Sequence, residues 1–215
     1  MPIPLVLASA SPARLSTLRA AGIEPRVIVS GVDEQGLLAD LVRTAAKTGG
    51  GDPTPEEEAL LLARAKAEDV CRSDAVDALV LGCDSVLEFD GQSLGKPRTP
   101  EIARDRWRAM RGRDGILHTG HWLIDARDGG VVDFPTVGAT SSAVIHFARL
   151  RDAEIDAYVA TGEPLQVAGG FTVDGLGGPF IESIEGDYHG VVGLSLPMFR
   201  GLLERIGVSI PELWA

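Results

Sequence analysis

Apolar residues recur along this chain in two rhythms. Short unbroken runs, Leu5-Val-Leu-Ala and Ala78-Leu-Val-Leu-Gly, predict strands buried on both faces. Other stretches repeat their apolar positions every three to four residues, which predicts helices packed along one stripe. Ser9-Ala-Ser-Pro follows the first run, with Ser11 placed to cap a helix and Pro12 at its first position. That helix is predicted to reach about Ala21 and to stop at Gly22, a residue at ease in the left-handed conformation past a helix end. Arg26-Val-Ile-Val then predicts a second strand, and a strand–loop–helix–strand opening is the usual start of an α/β protein.

Gly49-Gly-Gly-Asp-Pro reads as a mobile, linker-like loop. Thr54 and Glu57 have the spacing of a capping box, and Ala59, Leu62, Ala63 and Lys66 continue a helix to about Arg72. The strand at 78–82 is predicted to end in Cys83-Asp84-Ser85. Val86-Leu-Glu-Phe, Asp90-Gly91 and Gln92-Ser-Leu predict a hairpin with a tight turn. Thr99-Pro100 opens a helix whose Ala103, Trp107 and Met110 form one stripe, flanked by Arg104, Arg108 and Arg111 on a solvated face. Ile116–Ile124 and Val137–Phe147 predict strands. A helix from about Asp152 to Thr161-Gly162 and a capped one from Ser195 to Ile206 complete the chain, which shows no internal repeat.

The 215 residues suit a single domain spanning 1–215 in two lobes, and 45% apolar content argues for a folded chain. No apolar run approaches the ~20 residues that a membrane span needs. Thirty-one acidic against 20 basic residues give a formal charge of -11, which disfavours nucleic acid or an anionic membrane as partner. An anionic substrate would then need a local basic cluster or a bound cation. Cys71 and Cys83 are too few for a disulfide framework, and the first residues lack the basic stretch of a signal peptide, so a cytoplasmic location is expected.

Several charged residues fall where strands and helices end. Asp84 follows a predicted buried strand, where α/β sheets place ligands, and can serve as general base, metal ligand or turn residue. Ser9, Ser11 and Arg14 lie at a strand-to-helix junction, where helix N–H groups favour phosphate, although no Walker sequence is present. Lys96 stands in a loop stiffened by Pro97, and Lys66 sits on an otherwise apolar helix face, where snorkelling explains it equally well. Glu34 adds a carboxylate just beyond the second strand. His118 and His121 have a zinc-like spacing, but residues three apart in a strand point to opposite faces.

These segments taken together resemble one family, the Maf proteins, house-cleaning nucleoside triphosphate pyrophosphatases. The matching pieces are Leu7-Ala-Ser-Ala-Ser-Pro-Ala-Arg14, Ser30-Gly-Val-Asp-Glu-Gln35, Ala63-Arg-Ala-Lys66, Leu81-Gly-Cys-Asp-Ser85 and Leu94-Gly-Lys-Pro97. His118-Thr-Gly120, Tyr158-Val-Ala-Thr-Gly-Glu-Pro-Leu165, Ala168-Gly169, Gly175-Leu-Gly-Gly178 and Tyr188-His-Gly-Val-Val-Gly-Leu194 follow in the family's order. The resemblance implies an inosine-triphosphatase-like α/β fold, an elongated mixed sheet with flanking helices and two lobes around a cleft. It implies hydrolysis of a nucleoside triphosphate to monophosphate and pyrophosphate with Mg²⁺ or Mn²⁺. Asp84 matches the family's general base, and Glu34, Lys66, Lys96 and Arg14 match residues that handle metal or phosphate. The family is often dimeric, and a nucleotide-binding regulator of cell division is the alternative reading. Ala13, Ser85, Val167 and Asp174 depart from common family residues; several of these positions are associated with base choice, so the preferred base stays open.

Overall fold

The computed structural model describes residues 1–49, 51–73, 76–127 and 135–215. Its strands are β1 (Leu5–Leu7), β2 (Arg26–Val27), β3 (Leu79–Phe89), β4 (Gln92–Leu94), β5 (Asp114–Asp125), β6 (Thr136–Phe147) and β7 (Ile181–Glu185). The helices are α1 (Pro12–Ala20), α2 (Glu34–Thr48), α3 (Pro55–Ser73), α4 (Pro100–Met110), α5 (Asp152–Ala160), α6 (Tyr188–Val192) and α7 (Leu196–Arg205). Among the described residues the strands form one mixed sheet in the order β2-β1-β3-β5-β6-β7, with β4 paired to β3 beside that path. β1 runs parallel to β2 and β3, and every other pairing is antiparallel. The α/β class with a mixed sheet and flanking helices is the one expected.

Local chemistry sets the boundaries. Ser11 Oγ accepts the Arg14 N–H at 3.4 Å and starts α1. The Thr54–Glu57 box closes reciprocally, with the Glu57 N–H 3.2 Å from Thr54 Oγ1 and the Thr54 N–H 2.9 Å from the Glu57 carboxylate. Asp90 and Gly91 both hold positive φ, 52° and 71°, as a tight hairpin between twisted strands requires. On α4 the predicted stripe is buried, and its flanking arginines reach across to α5, Arg104 to Asp156 at 2.9 Å and Arg111 to Asp152 at 2.6 Å.

Five elements differ from expectation. The strand predicted to stop before Asp84 runs on to Phe89, paired with β5 throughout from Leu79 to Glu88. Asp84 and Ser85 are polar residues inside a continuous strand, facing Gly120 and Thr119. The second strand is only Arg26–Val27. Helix α2 occupies a stretch to which the sequence reading assigned no element: Asp33 caps it by accepting the Gly36 N–H, and Gly49 ends it in the left-handed conformation. β7 and α6 were also not expected. Within the linker-like stretch, Gly50 lies outside the described residues.

Strand pairing leaves a gap along one edge of β3. Leu79, Leu81 and Cys83 belong to a core with β1, α1 and α7, while Leu87 and Phe89 belong to another with α4 and α5. On one edge β3 pairs with β1 only from Leu79 to Leu81 and with β4 only from Leu87 to Phe89. Residues 82–86 have neither partner there, and the chain leaving β1 and the chain leaving β4 diverge around them. A divergence of this kind opens a crevice at a sheet edge. No described helix is long and apolar enough to cross a membrane.

Candidate active site

The crevice is a cleft of about 650 Å³. Ser9, Ser11, Ala13 and Arg14 enter it from the β1–α1 junction. Glu34 comes from the first turn of α2, Lys66 from α3, Asp84 and Ser85 from the unpaired edge of β3, and Lys96 from the loop after β4. Asp174 lines it from the segment before β7. Every residue singled out in the sequence as a site candidate therefore borders one cavity.

Lys66 sits between two carboxylates. Its ammonium hydrogen-bonds Asp84 Oδ1 and lies 2.7 Å from Glu34 Oε1. The side chains of Lys66 and Asp84 are 12% and 14% exposed and that of Glu34 is 38% exposed, so the cluster is screened from water on its inner side. A lysine held this way is an ion-pair centre and not a snorkelling chain. Burial raises the Glu34 carboxyl, but the Lys66 bond and charge, with Lys96 and Arg14 beyond, bring it below its ordinary value.

Glycine makes this contact geometrically available. A Cβ on Gly82 would stand 2.1 Å from the Ala63 carbonyl oxygen, and one on Gly120 would stand 2.3 Å from that of Ala59. Both glycines lie on the face that α3 covers, so the helix backbone rests directly on the sheet. Lys66, three residues beyond Ala63, is thereby delivered to Asp84.

Ser85 points away from Asp84 and joins a second network. Arg14 donates from Nη2 to Ser85 Oγ at 3.1 Å, from Nη1 to Ser9 Oγ and the Cys83 carbonyl at 2.9 Å each, and from Nε to the Gly193 carbonyl at 2.8 Å. Ser85 in turn bonds Thr119 Oγ1 at 3.0 Å, which donates to the Gly190 carbonyl at 2.8 Å. The Cys83 carbonyl is one of the strand groups left without a neighbour in the gap, and Arg14 satisfies it. With five N–H donors on a guanidinium, these contacts leave Arg14 one hydrogen, on Nη2, for a ligand.

The arrangement offers a carboxylate oriented by a cation, further positive charge from Arg14 and Lys96, and the amino end of α1. The family's sequence profile, described as Maf-like protein, matches residues 4–206. The chain belongs to the Maf-like protein family. It is 54% identical over 213 residues to the nucleoside triphosphate pyrophosphatase of Leifsonia xyli subsp. xyli, covering 98% of this chain and 96% of that protein. It is 53% identical to the nucleoside triphosphate pyrophosphatase of Streptomyces coelicolor, covering 98% and 94%. Among solved structures, the Ham1 protein of Staphylococcus aureus is similar with a TM-score of 0.37 at 16% identity, over 68% of this chain and 72% of that one.

In this Maf-like chain the histidines belong to the framework. His118 bonds Ser142 Oγ at 2.8 Å and the Glu88 carboxylate at 2.9 Å, while His121 Nε2 accepts the Ser195 N–H at 2.8 Å. Burial first, and the Arg14 charge second, push His121 down to about 4, so it is neutral at pH 7. No three His, Cys, Asp or Glu side chains gather as a metal cluster among the described residues. The site also uses residues that sequence reasoning gave no role. Thr119 sits in His118-Thr-Gly120, one of the matching pieces, and its strand pairing with Ser85 exists because β3 runs on past Asp84. Arg98 borders the cleft in a left-handed conformation, φ 65°.

Proposed function

We propose that this Maf-like chain is a nucleoside triphosphate pyrophosphatase, converting a (d)NTP and water to a (d)NMP and pyrophosphate with the help of a divalent cation. The observation that carries the reading is the Lys66 ammonium held between Glu34 and Asp84 in a cleft that also presents Arg14 and Lys96. The names of the relatives agree with it. In this reading Asp84 is the general base. Lys66 takes its Oδ1 and fixes its orientation, and Oδ2 accepts the proton of the water that attacks the α-phosphorus. The α–β bridging bond breaks and pyrophosphate leaves. Lys66, Lys96 and the remaining Nη2 hydrogen of Arg14 offset the charge on the phosphates, with Ser9 and Ser11 at the amino end of α1 as further partners.

Glu34 and Asp84 would hold a cation beside the Lys66 ammonium, through carboxylate lone pairs that Lys66 leaves free. Two carboxylate oxygens with the balance from phosphates and water is the kind of site that Mg²⁺ or Mn²⁺ takes. Bound there, the ion would supply positive charge to offset that on the leaving pyrophosphate. Ala13, Ser85 and Asp174 are proposed to face the base, and house-cleaning of surplus or non-standard nucleotides in the cytoplasm is the role that follows.

A panel of common and modified triphosphates, read separately for pyrophosphate and phosphate, tests the proposal. Pyrophosphate as product, lost in excess chelator and restored by Mg²⁺ or Mn²⁺, is expected. Nucleotide binding without turnover would support a sensor instead. Asp84→Asn should keep the fold and nucleotide binding while turnover falls ~10²–10⁴-fold, the usual loss on removing a general base. Near wild-type turnover in the folded variant would remove Asp84 from that role.

A further inference from the structure

Glu163 stands outside the phosphate-side cluster, in a single turn of 3₁₀ helix, Glu163–Gln166, after α5. Its carboxylate accepts from four groups. Oε1 takes the Tyr158 hydroxyl at 3.0 Å, the Gly177 N–H at 3.0 Å and the Thr172 hydroxyl, and Oε2 takes the Leu176 N–H at 2.9 Å. Tyr158 is buried in the aromatic core against Trp107 and Phe180, so the carboxylate is anchored from the rigid side. The other three donors belong to one short segment, 172–177, which lines the cleft through Thr172, Val173 and Asp174. The segment is shaped to wrap the carboxylate. A Cβ on Gly175 would lie 2.7 Å from Glu163 Oε2, and one on Gly177 would lie 2.5 Å from the Tyr158 hydroxyl. Among the described residues no Lys or Arg forms an ion pair with Glu163. A carboxylate satisfied by neutral donors from one segment serves to fix that segment.

We propose that Glu163 is a positioning residue for substrate recognition, holding the 172–177 segment, and with it Asp174, in place over the cleft. The proposal rests on the triphosphate-hydrolysis reading above. It adds that the base side of the cleft is set by a residue that touches no reacting atom. Such a residue affects how well, and how selectively, substrate is held, and leaves the Lys66–Asp84 chemistry intact.

Glu163→Gln keeps the size of the side chain. The amide nitrogen that replaces one oxygen then meets N–H or O–H donors that it cannot accept from. Steady-state kinetics should show KM raised about tenfold, the order of one charge-assisted hydrogen bond lost, with kcat within about threefold. The spread of kcat/KM across bases should narrow. Hydrogen exchange at the Leu176 and Gly177 amides should accelerate, a readout that needs no activity. Tyr158→Phe, which removes one hydroxyl from the same carboxylate, should move KM the same way by less. Unchanged exchange at those amides would overturn the anchoring. Faster exchange with unchanged KM and base preference, or a loss confined to kcat, would overturn the recognition role. A wild-type chain inactive on every triphosphate would defeat the functional reading instead, and the exchange measurement would still decide the anchor.

Discussion

Arg14 and Asp174 show how far single residues determine what the cleft can hold. Arg14 is committed to Ser9, Ser85 and the carbonyls of Cys83 and Gly193, so most of its hydrogen-bonding capacity shapes the site and little is left for substrate. Asp174 is exposed, borders the cleft and has its place fixed by its neighbours Thr172 and Leu176. An ionised Asp only accepts hydrogen bonds, so it repels a carbonyl edge and favours an N–H donor. Ala13, also bordering the cleft, brings no charge to offset it. Bases with donor edges, cytosine and guanine, should therefore be preferred over uracil and thymine. Asp174→Gln supplies both a donor and an acceptor and should shift the kcat/KM ratio toward UTP and dTTP by about tenfold or more, since an unpaired polar edge is rejected strongly. Competition assays with paired triphosphates measure that ratio directly. A ratio that stays constant would make Asp174 only the residue that leads into the Gly175 turn.

At the scale of elements, the contact of α3 with the sheet decides whether Lys66 meets Asp84. Gly82→Ala would drive a methyl group into the Ala63 carbonyl, and the helix must lift or the strand must bend. Overpacking of this kind costs about 1–3 kcal/mol. Lys66 lies less than one turn further along, so kcat should fall more than the lowered Tm alone accounts for. Gly201 provides the contrast. It lies within α7 with nothing inside 4 Å of where a Cβ would be. Gly201→Ala should stabilise by about 0.4–1 kcal/mol and leave turnover unchanged. Equal effects of the two variants on kcat would argue against the positioning role of α3. The α3 helix itself was legible from its capping box and apolar repeat. α2 was not, because its Leu37, Leu38 and Leu41 are only half-buried, Gly36 weakens its first turn, and none of residues 34–47 is fully buried. Its Asp33 cap and Gly49 stop were present in the sequence as signals. The end assigned to the third strand failed for a different reason: two adjacent polar residues signal a turn, yet here they mark the place where the strand passes between two cores.

Across the whole molecule, the candidates that line the cleft were legible because several short motifs each supplied one side chain, whereas the gap that gathers them depends on pairings distant in sequence. The same distant pairings create a pH-dependent tie at the far edge of the sheet. His146 on β6 bonds Asp114 on β5 at 2.7 Å and Glu185 on β7 at 3.1 Å, linking three strands through one imidazole. The bond to Asp114 leads in raising the His146 pKa above its ordinary value, with the bond to Glu185 and both charges adding to it. A raised folded-state value means that folding favours the protonated ring. The stabilisation is complete below the unfolded imidazole value, about 6.5, and is lost as pH rises through the folded value. Glu163 has the opposite sign. Burial raises its carboxyl, but the bonds from Thr172, Leu176, Gly177 and Tyr158 together hold it below the ordinary value, so its contribution persists through neutral pH and fails only in acid. His146→Gln should therefore lower Tm at mildly acidic pH and have little effect at alkaline pH, with the difference between variant and wild type shrinking across the imidazole range. The pair sits at an exposed edge and salt will weaken it, so the measurement belongs at low ionic strength. A Tm difference that is constant with pH would mean that His146 contributes through packing and not through its charge.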